Sequence, residues 1–121
     1  GGDMRALGRE FGRVLSTEQS VKYWADAAHL PLAKGRGQVL ADRVPDDRCR
    51  VEVETYGVPG RGTEMVLYRI IGAGDSVPGS SSPNLPRLVG PKCMEINAAE
   101  VIWEFFKKHT LPPGADPKNI L

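Results

Sequence analysis

Hydrophobic and polar positions alternate with a helical period at two places in the chain and with a strand period at two others. Val21, Trp24, Ala25 and Ala28 fall at i, i+3, i+4 and i+7, one face of a helix. Ser16-Thr17-Glu18-Gln19 precedes them as a capping box, the hydroxyl accepting one N–H and the amide side chain reaching back. Pro31 stops the run, so the spacing predicts a helix over about 16–29. A second helix is predicted over about 97–109. Asn97-Ala98-Ala99-Glu100 is again a capping box, and Ile96 with Val101 has the spacing of a hydrophobic staple. Ala98, Ile102, Phe105 and Phe106 make its broad apolar face, and Pro112-Pro113 ends it.

Val51, Val53 and Thr55 alternate with Glu52, Glu54 and Tyr56, the pattern of a half-buried strand over about 51–56. Met65 to Ile71 is apolar almost throughout, as for a strand buried on both faces, predicted over about 64–71. The Gly/Pro-rich stretch Gly57 to Gly62 between them is too short for a parallel crossover, so the two strands pair as an antiparallel hairpin. Lys34-Gly35-Arg36-Gly37 reads as a loop, Gln38 to Asp42 as a short strand, and Pro45-Asp46-Asp47 as a turn. Residues 72–91 form a long loop rich in Gly, Pro and Ser, and loops of that length are usually functional or disordered. Two or three strands make a poor sheet alone. Trp24, Trp103, Phe105 and Phe106 are a large apolar load for so little sheet. The pattern therefore describes one part of a larger α/β layer structure, with the helices packing through Trp24 and through Ile102 with Phe106.

Composition adds exclusions. The 121 residues allow one domain at most, and the formal charge is +1 with both signs mixed. That balance points to neither nucleic acid nor an anionic membrane as partner, and no apolar run reaches transmembrane length. Gly1-Gly2-Asp3 is polar from the start, which reads as no signal peptide and, without an initiator Met, as a processed or excised chain. Cys49 and Cys93 are open to two readings, one bridge or two thiols, because spacing alone does not decide.

Chemical motifs are sparse. His29 and His109 stand alone near helix ends, where a cation favours the helix dipole, and they belong to no metal-ligand pattern. We expect no metal and no cofactor. Glu52 and Glu54 read as a solvated strand face. Gly74-Asp75-Ser76-Val77-Pro78 and Gly79-Ser80-Ser81-Ser82-Pro83 each lack the final glycine of a G-x-S-x-G nucleophile elbow. The one site-like position is Gly72-Ala73-Gly74-Asp75-Ser76-Val77-Pro78-Gly79, directly after the apolar strand. Carboxyl ends of strands are where open α/β sheets bind ligands, and a flexible surface loop reads equally well. Gly72, Gly74, Ser76 and Pro78 are its substrate-loop candidates.

Three blocks together resemble the C-terminal portion of polyhydroxybutyrate depolymerase-type esterases. Leu67 to Gly79 looks like that family's final strand and catalytic-histidine loop, usually Gly-Gly-Gly-His, then Ser or Thr, then Trp or Val, then Pro-Gly. Ile96 to His109 resembles its closing helix, the most specific block, and Ser16 to Ala28 resembles the helix after its acid loop. The resemblance spans nearly the whole chain in matching order. It implies a C-terminal fragment of an α/β-hydrolase fold, with two main strands and two flanking helices. It also implies a Ser–Asp–His triad whose serine and acid lie upstream of Gly1, and Asp3 is too late to match the acid. Asp75 occupies the position of the family histidine, and an aspartate is a poor base for a serine hydroxyl near neutral pH.

The function this implies is the C-terminal region of a serine esterase hydrolysing hydroxyalkanoate esters, inactive by itself. The rival from another class is a non-catalytic binding module derived from that fold. A third reading is a free-standing α+β domain. Expected partners are a small-molecule or polymeric ester in the full-length parent and further copies of the chain. The parent is expected to be secreted or periplasmic by resemblance.

Overall fold

The computed structural model describes residues 2–6, 9–32, 36–59, 61–83 and 90–110. Lys34 and Gly35 of the expected loop, the 84–89 part of the long loop and the Pro112-Pro113 terminator lie outside the described residues, whereas Arg36 and Gly37, expected in that loop, open a strand that ends at Val39 rather than at Asp42. Strands β1 (Gly2–Ala6) and β2 (Arg9–Val14) precede helix α1 (Thr17–Ala27). Strand β3 (Arg36–Val39), a single 3-10 turn (Pro45–Asp47), strands β4 (Arg50–Val58) and β5 (Arg61–Ile71) and helix α2 (Ala98–Phe106) follow. The order β3-β4-β5 makes one antiparallel sheet with β4 in the middle. The predicted hairpin is therefore present, with strands longer than their alternation suggested. The chain divides into two compact units, residues 1–38 with 53–69 and residues 39–52 with 70–121.

In the first unit β1 and β2 pair antiparallel from Gly2 opposite Val14 to Ala6 opposite Arg9, with one register shift after Met4. The alternation over Asp3-Met4-Arg5-Ala6 is too short to mark this hairpin. Helix α1 starts where its capping box predicts. Ser16 Oγ accepts the Gln19 N–H at 3.1 Å and Gln19 Oε1 accepts the Ser16 N–H at 2.8 Å, a cap worth about 1 kcal/mol. The helix ends in a Schellman turn: His29 N–H donates to Asp26 C=O and Leu30 N–H to Ala25 C=O. His29 sits there in the left-handed region at φ 53, where glycine is usual. The expected helix face is correct in phase, since Val21 and Ala28 are half-buried and Ala25 is fully buried. Trp24, however, is 62% exposed at its margin. It borders a groove of about 330 Å³ lined by Thr17, Val21 and Ala28 from α1 and by Met65, Val66 and Leu67 from β5.

β4, not β5, is the buried strand. Val51, Val53 and Tyr56 are buried, whereas Met65 to Leu67, Ile70 and Ile71 are half-buried. The edge position of β5 explains the difference from its apolar sequence. Tyr56 also departs from the expected outward face. Its hydroxyl donates to Glu54 Oε2 at 2.6 Å, and Arg69 approaches the same carboxylate at 3.7 Å and Glu18 at 3.3 Å.

In the second unit α2 is capped by Asn97, whose side chain accepts from the Ala99 and Glu100 N–H groups at 3.1 and 3.4 Å. Ala98, Val101 and Phe105 form its half-buried face, while Ile102 and Phe106 are more than half exposed. The predicted contact residues are thus one step out of phase on this helix. No helix among the described residues is long and apolar enough to cross a membrane.

The Glu54 hydrogen bond, then burial and the Glu54 charge, push the Tyr56 pKa above its usual value of 10.0. A raised pKa favours the neutral phenol in the folded state. That contribution is fully present below the unfolded value and is lost as pH rises through the raised one. We therefore predict that unfolding free energy, followed in urea, declines above about pH 10. Tyr56→Phe lowers it by about 2 kcal/mol at neutral pH, as expected for a hydrogen bond to a charged group, and removes its share of the alkaline decline. An unchanged alkaline profile in the variant counts against the assignment.

Candidate functional site

The loop that leaves β5 is built closely against two other segments of its unit. Gly72 opens it at φ 87, and a Cβ there would meet the Arg48 carbonyl. Gly79 sits at φ 68 with the Ile96 carbonyl where its Cβ would be. Neither position admits a side chain without moving backbone. Between them the Gly74 N–H donates to Pro91 C=O at 2.7 Å. Gly79 N–H donates to Cys93 C=O at 2.9 Å, and Ala98 N–H to Pro78 C=O at 3.1 Å. These bonds seat the loop against the backbone of residues 91–98.

What the loop presents is modest chemistry. Asp75 is exposed. The Ser76 hydroxyl is buried with no hydrogen-bond partner, so no base activates it. His29 closes α1, and His109 follows α2 with its ring 4.6 Å from that of Phe105. Gly72, Gly74 and Pro78 serve as backbone turning and pairing points.

The segment facing the loop is fixed in turn by groups that sequence reasoning left open or missed. Cys49 and Cys93 form a disulfide with Cα atoms 5.5 Å apart. Asp47 accepts the Cys49 N–H at 2.8 Å through one oxygen and the Met94 N–H at 2.9 Å through the other. Glu95, only 4% exposed, accepts the Arg43 and Val44 N–H groups at 2.6 and 3.0 Å. Asp47 lies two residues before Cys49, the spacing of an Asx turn, and that signal was available. Glu95 gives no local signal. Asp47, Cys49 and Cys93 offer ligand atoms within 4.8 Å of one another. Both sulfurs are spent in the disulfide and both Asp47 oxygens on backbone donors, so the set is a structural clamp.

Lys92 completes the assembly. It is 9% exposed, and its ammonium donates to the Ser80 carbonyl at 3.0 Å, to the Ser82 carbonyl and to Ser82 Oγ at 3.2 Å. Ser82 Oγ lies 2.8 Å from Ser80 Oγ.

A bridge between residues 44 positions apart removes about 4 kcal/mol of chain entropy from the unfolded state, an upper figure for its stabilisation. We predict that replacing both cysteines by serine lowers the unfolding free energy by about 2–4 kcal/mol. Amide exchange at Gly74 and Gly79 accelerates with it, because their acceptors belong to the released segment. Native protection at those two amides in the variant would show that the loop is held without the bridge.

Comparison of the chain with protein-family models, with curated proteins and with solved structures finds no match, so the functional reading rests on residues and geometry.

Proposed function

We propose that this chain is the closing portion of a serine esterase of the polyhydroxybutyrate depolymerase type, acting on hydroxyalkanoate esters in the full-length parent. One observation carries the reading. The segment in the family's histidine-loop position leaves the carboxyl end of β5 as a fixed loop, held at Gly72, Gly74, Gly79 and Ala98. A fixed loop at a strand end is what a triad needs, because the catalytic base must stay within hydrogen-bond reach of its serine. The helix blocks Ser16 to Ala28 and Ile96 to His109, both helical and capped at the expected residues, add support. So does β5, an apolar strand left at a sheet edge, where an upstream part of the parent sheet would continue. The disulfide fits an oxidising compartment and hence export of the parent.

Asp75 favours a second reading, a non-catalytic module derived from the same fold. Its exposed carboxylate has no route to the work of an imidazole. The coding sequence upstream of Gly1 separates the two. An intact G-x-S-x-G with an acid segment before Gly1 supports the esterase, and a broken elbow supports the module. An upstream frame with no hydrolase segment at all overturns both.

The chain by itself lacks the nucleophile elbow and its backbone oxyanion donor. We predict no saturable turnover of short-chain p-nitrophenyl esters or hydroxybutyrate oligomers above buffer, and no gain from Asp75→His. In sedimentation the isolated chain runs above monomer mass, because the β5 edge and exposed apolar residues such as Trp24 and Trp103 remain to be covered. Turnover that disappears with Ser76→Ala would sink this reading.

A further inference from the structure

Lys92 is a buried cation with no carboxylate paired to it among the described residues. Its three hydrogen-bond acceptors are two backbone carbonyls and one hydroxyl, all neutral. No carboxylate of the described residues lies within ion-pair distance of it. Buried charges are normally paired, because desolvation penalises a lone one. The hydrogen-bonding capacity of the ammonium is full, but its charge is uncompensated.

Two serines lie between it and the surface. An ammonium only donates, so Ser82 Oγ must accept from Lys92. If Ser82 in turn donates to Ser80 Oγ, the Ser80 proton is left over. If Ser80 donates to Ser82, the Ser82 proton is left over. Either way the cluster keeps one unspent hydroxyl donor, polarised by the cation behind it. Ser82 is exposed and Ser80 half-exposed, so an incoming group can reach that donor. Their loop is the same one that carries Asp75.

We infer that Lys92, Ser80 and Ser82 form a binding site for a small carboxylate, with the hydroxyl donating to it and the buried ammonium supplying the countercharge. Under the proposed function, on which this assignment of the ligand rests, the carboxylate is the free acid end of a hydroxyalkanoate. A singly charged group suffices to neutralise one ammonium, and a neutral ester lacks the charge that makes the site favourable.

The test is a titration of the isotopically labelled chain, followed by amide chemical shifts. The additions are sodium 3-hydroxybutyrate, sodium acetate, methyl 3-hydroxybutyrate and sodium chloride at matched ionic strength. Saturable shifts at Ser80, Ser82 and Lys92 are expected with 3-hydroxybutyrate, and none with the methyl ester or with chloride. Lys92→Met weakens binding about tenfold or more. The double variant Ser80→Ala, Ser82→Ala removes both hydroxyls while leaving Lys92 its two backbone carbonyls and the clamp intact, and it is expected to weaken binding likewise. No saturable shift, equal shifts with chloride, or affinity unchanged in the serine variant would each overturn the site. Acetate binding as tightly as 3-hydroxybutyrate keeps the carboxylate site and removes the hydroxyalkanoate assignment. A missing upstream serine elbow removes the esterase reading while leaving the site intact.

Discussion

The second unit depends on how the backbone from Pro91 to Ile96 is fixed. The Cys49–Cys93 bridge ties that segment covalently to the start of β4. Asp47 spends one oxygen on each side of the tie, at Cys49 and at Met94. Glu95 then holds the Arg43–Val44 backbone. Once these contacts are in place, the Pro91 and Cys93 carbonyls stand where Gly74 and Gly79 can donate to them. The order of dependence is therefore bridge, carboxylates, loop. Buried Glu95 and half-buried Asp47 are each matched to two N–H donors, which satisfies groups that would otherwise be costly to take out of water.

Such a clamp suits a chain with little apolar interior. Among the described residues, the buried apolar positions are Ala25, Cys49, Val51, Val53, Tyr56 and Cys93, and two of these are the bridge itself. Fully burying one Val or Leu side chain is worth about 1.5–3 kcal/mol. The bridge therefore contributes about as much as two such residues. The aromatic residues that would ordinarily fill a core, Trp24, Trp103 and Phe106, are each more than half exposed. An apolar edge strand and uncovered aromatic side chains are what a piece of a larger layered sheet would present, which is why the proposed function treats the chain as such a piece.

What the sequence revealed and what it concealed divide by range. The α1 capping box and the Asn97 cap are interactions over two or three positions, and both were legible. The β4–β5 pairing was legible because the connection is too short for any other arrangement. Helix phase was legible for α1, where Ala25 is indeed buried, but amphipathic pattern says which face turns inward and not how much material covers it. Trp24 and Phe106 were therefore over-assigned to the interior. The same limit misplaced β5, whose apolar run reads alike for a central strand and for an edge awaiting a neighbour. The Cys49–Cys93 pairing, the reach of Glu95 to Arg43 and the seating of Lys92 span 10 to 52 positions. No local spacing encodes contacts of that kind. The β1–β2 hairpin was missed for a different reason: Asp3-Met4-Arg5-Ala6 alternates, but the run is short and glycines at positions 8 and 12 break the pattern after it.

The clamp also bears on which loop positions are free to vary. Among the described residues, the contacts that hold residues 72–83 run through backbone, through glycine, through the Ser80–Ser82 hydroxyl pair, or through Lys92 and the Asp47–Cys49–Cys93–Glu95 set. The Asp75 side chain, exposed at the loop surface, takes part in none of these. A substitution at position 75 is accordingly close to neutral for folding while being decisive for any chemistry that needs an imidazole there. Under the proposed reading this separation explains how a depolymerase-like scaffold keeps its loop in place while carrying aspartate where the family carries histidine. Stability then places no barrier against exchange at position 75 in either direction.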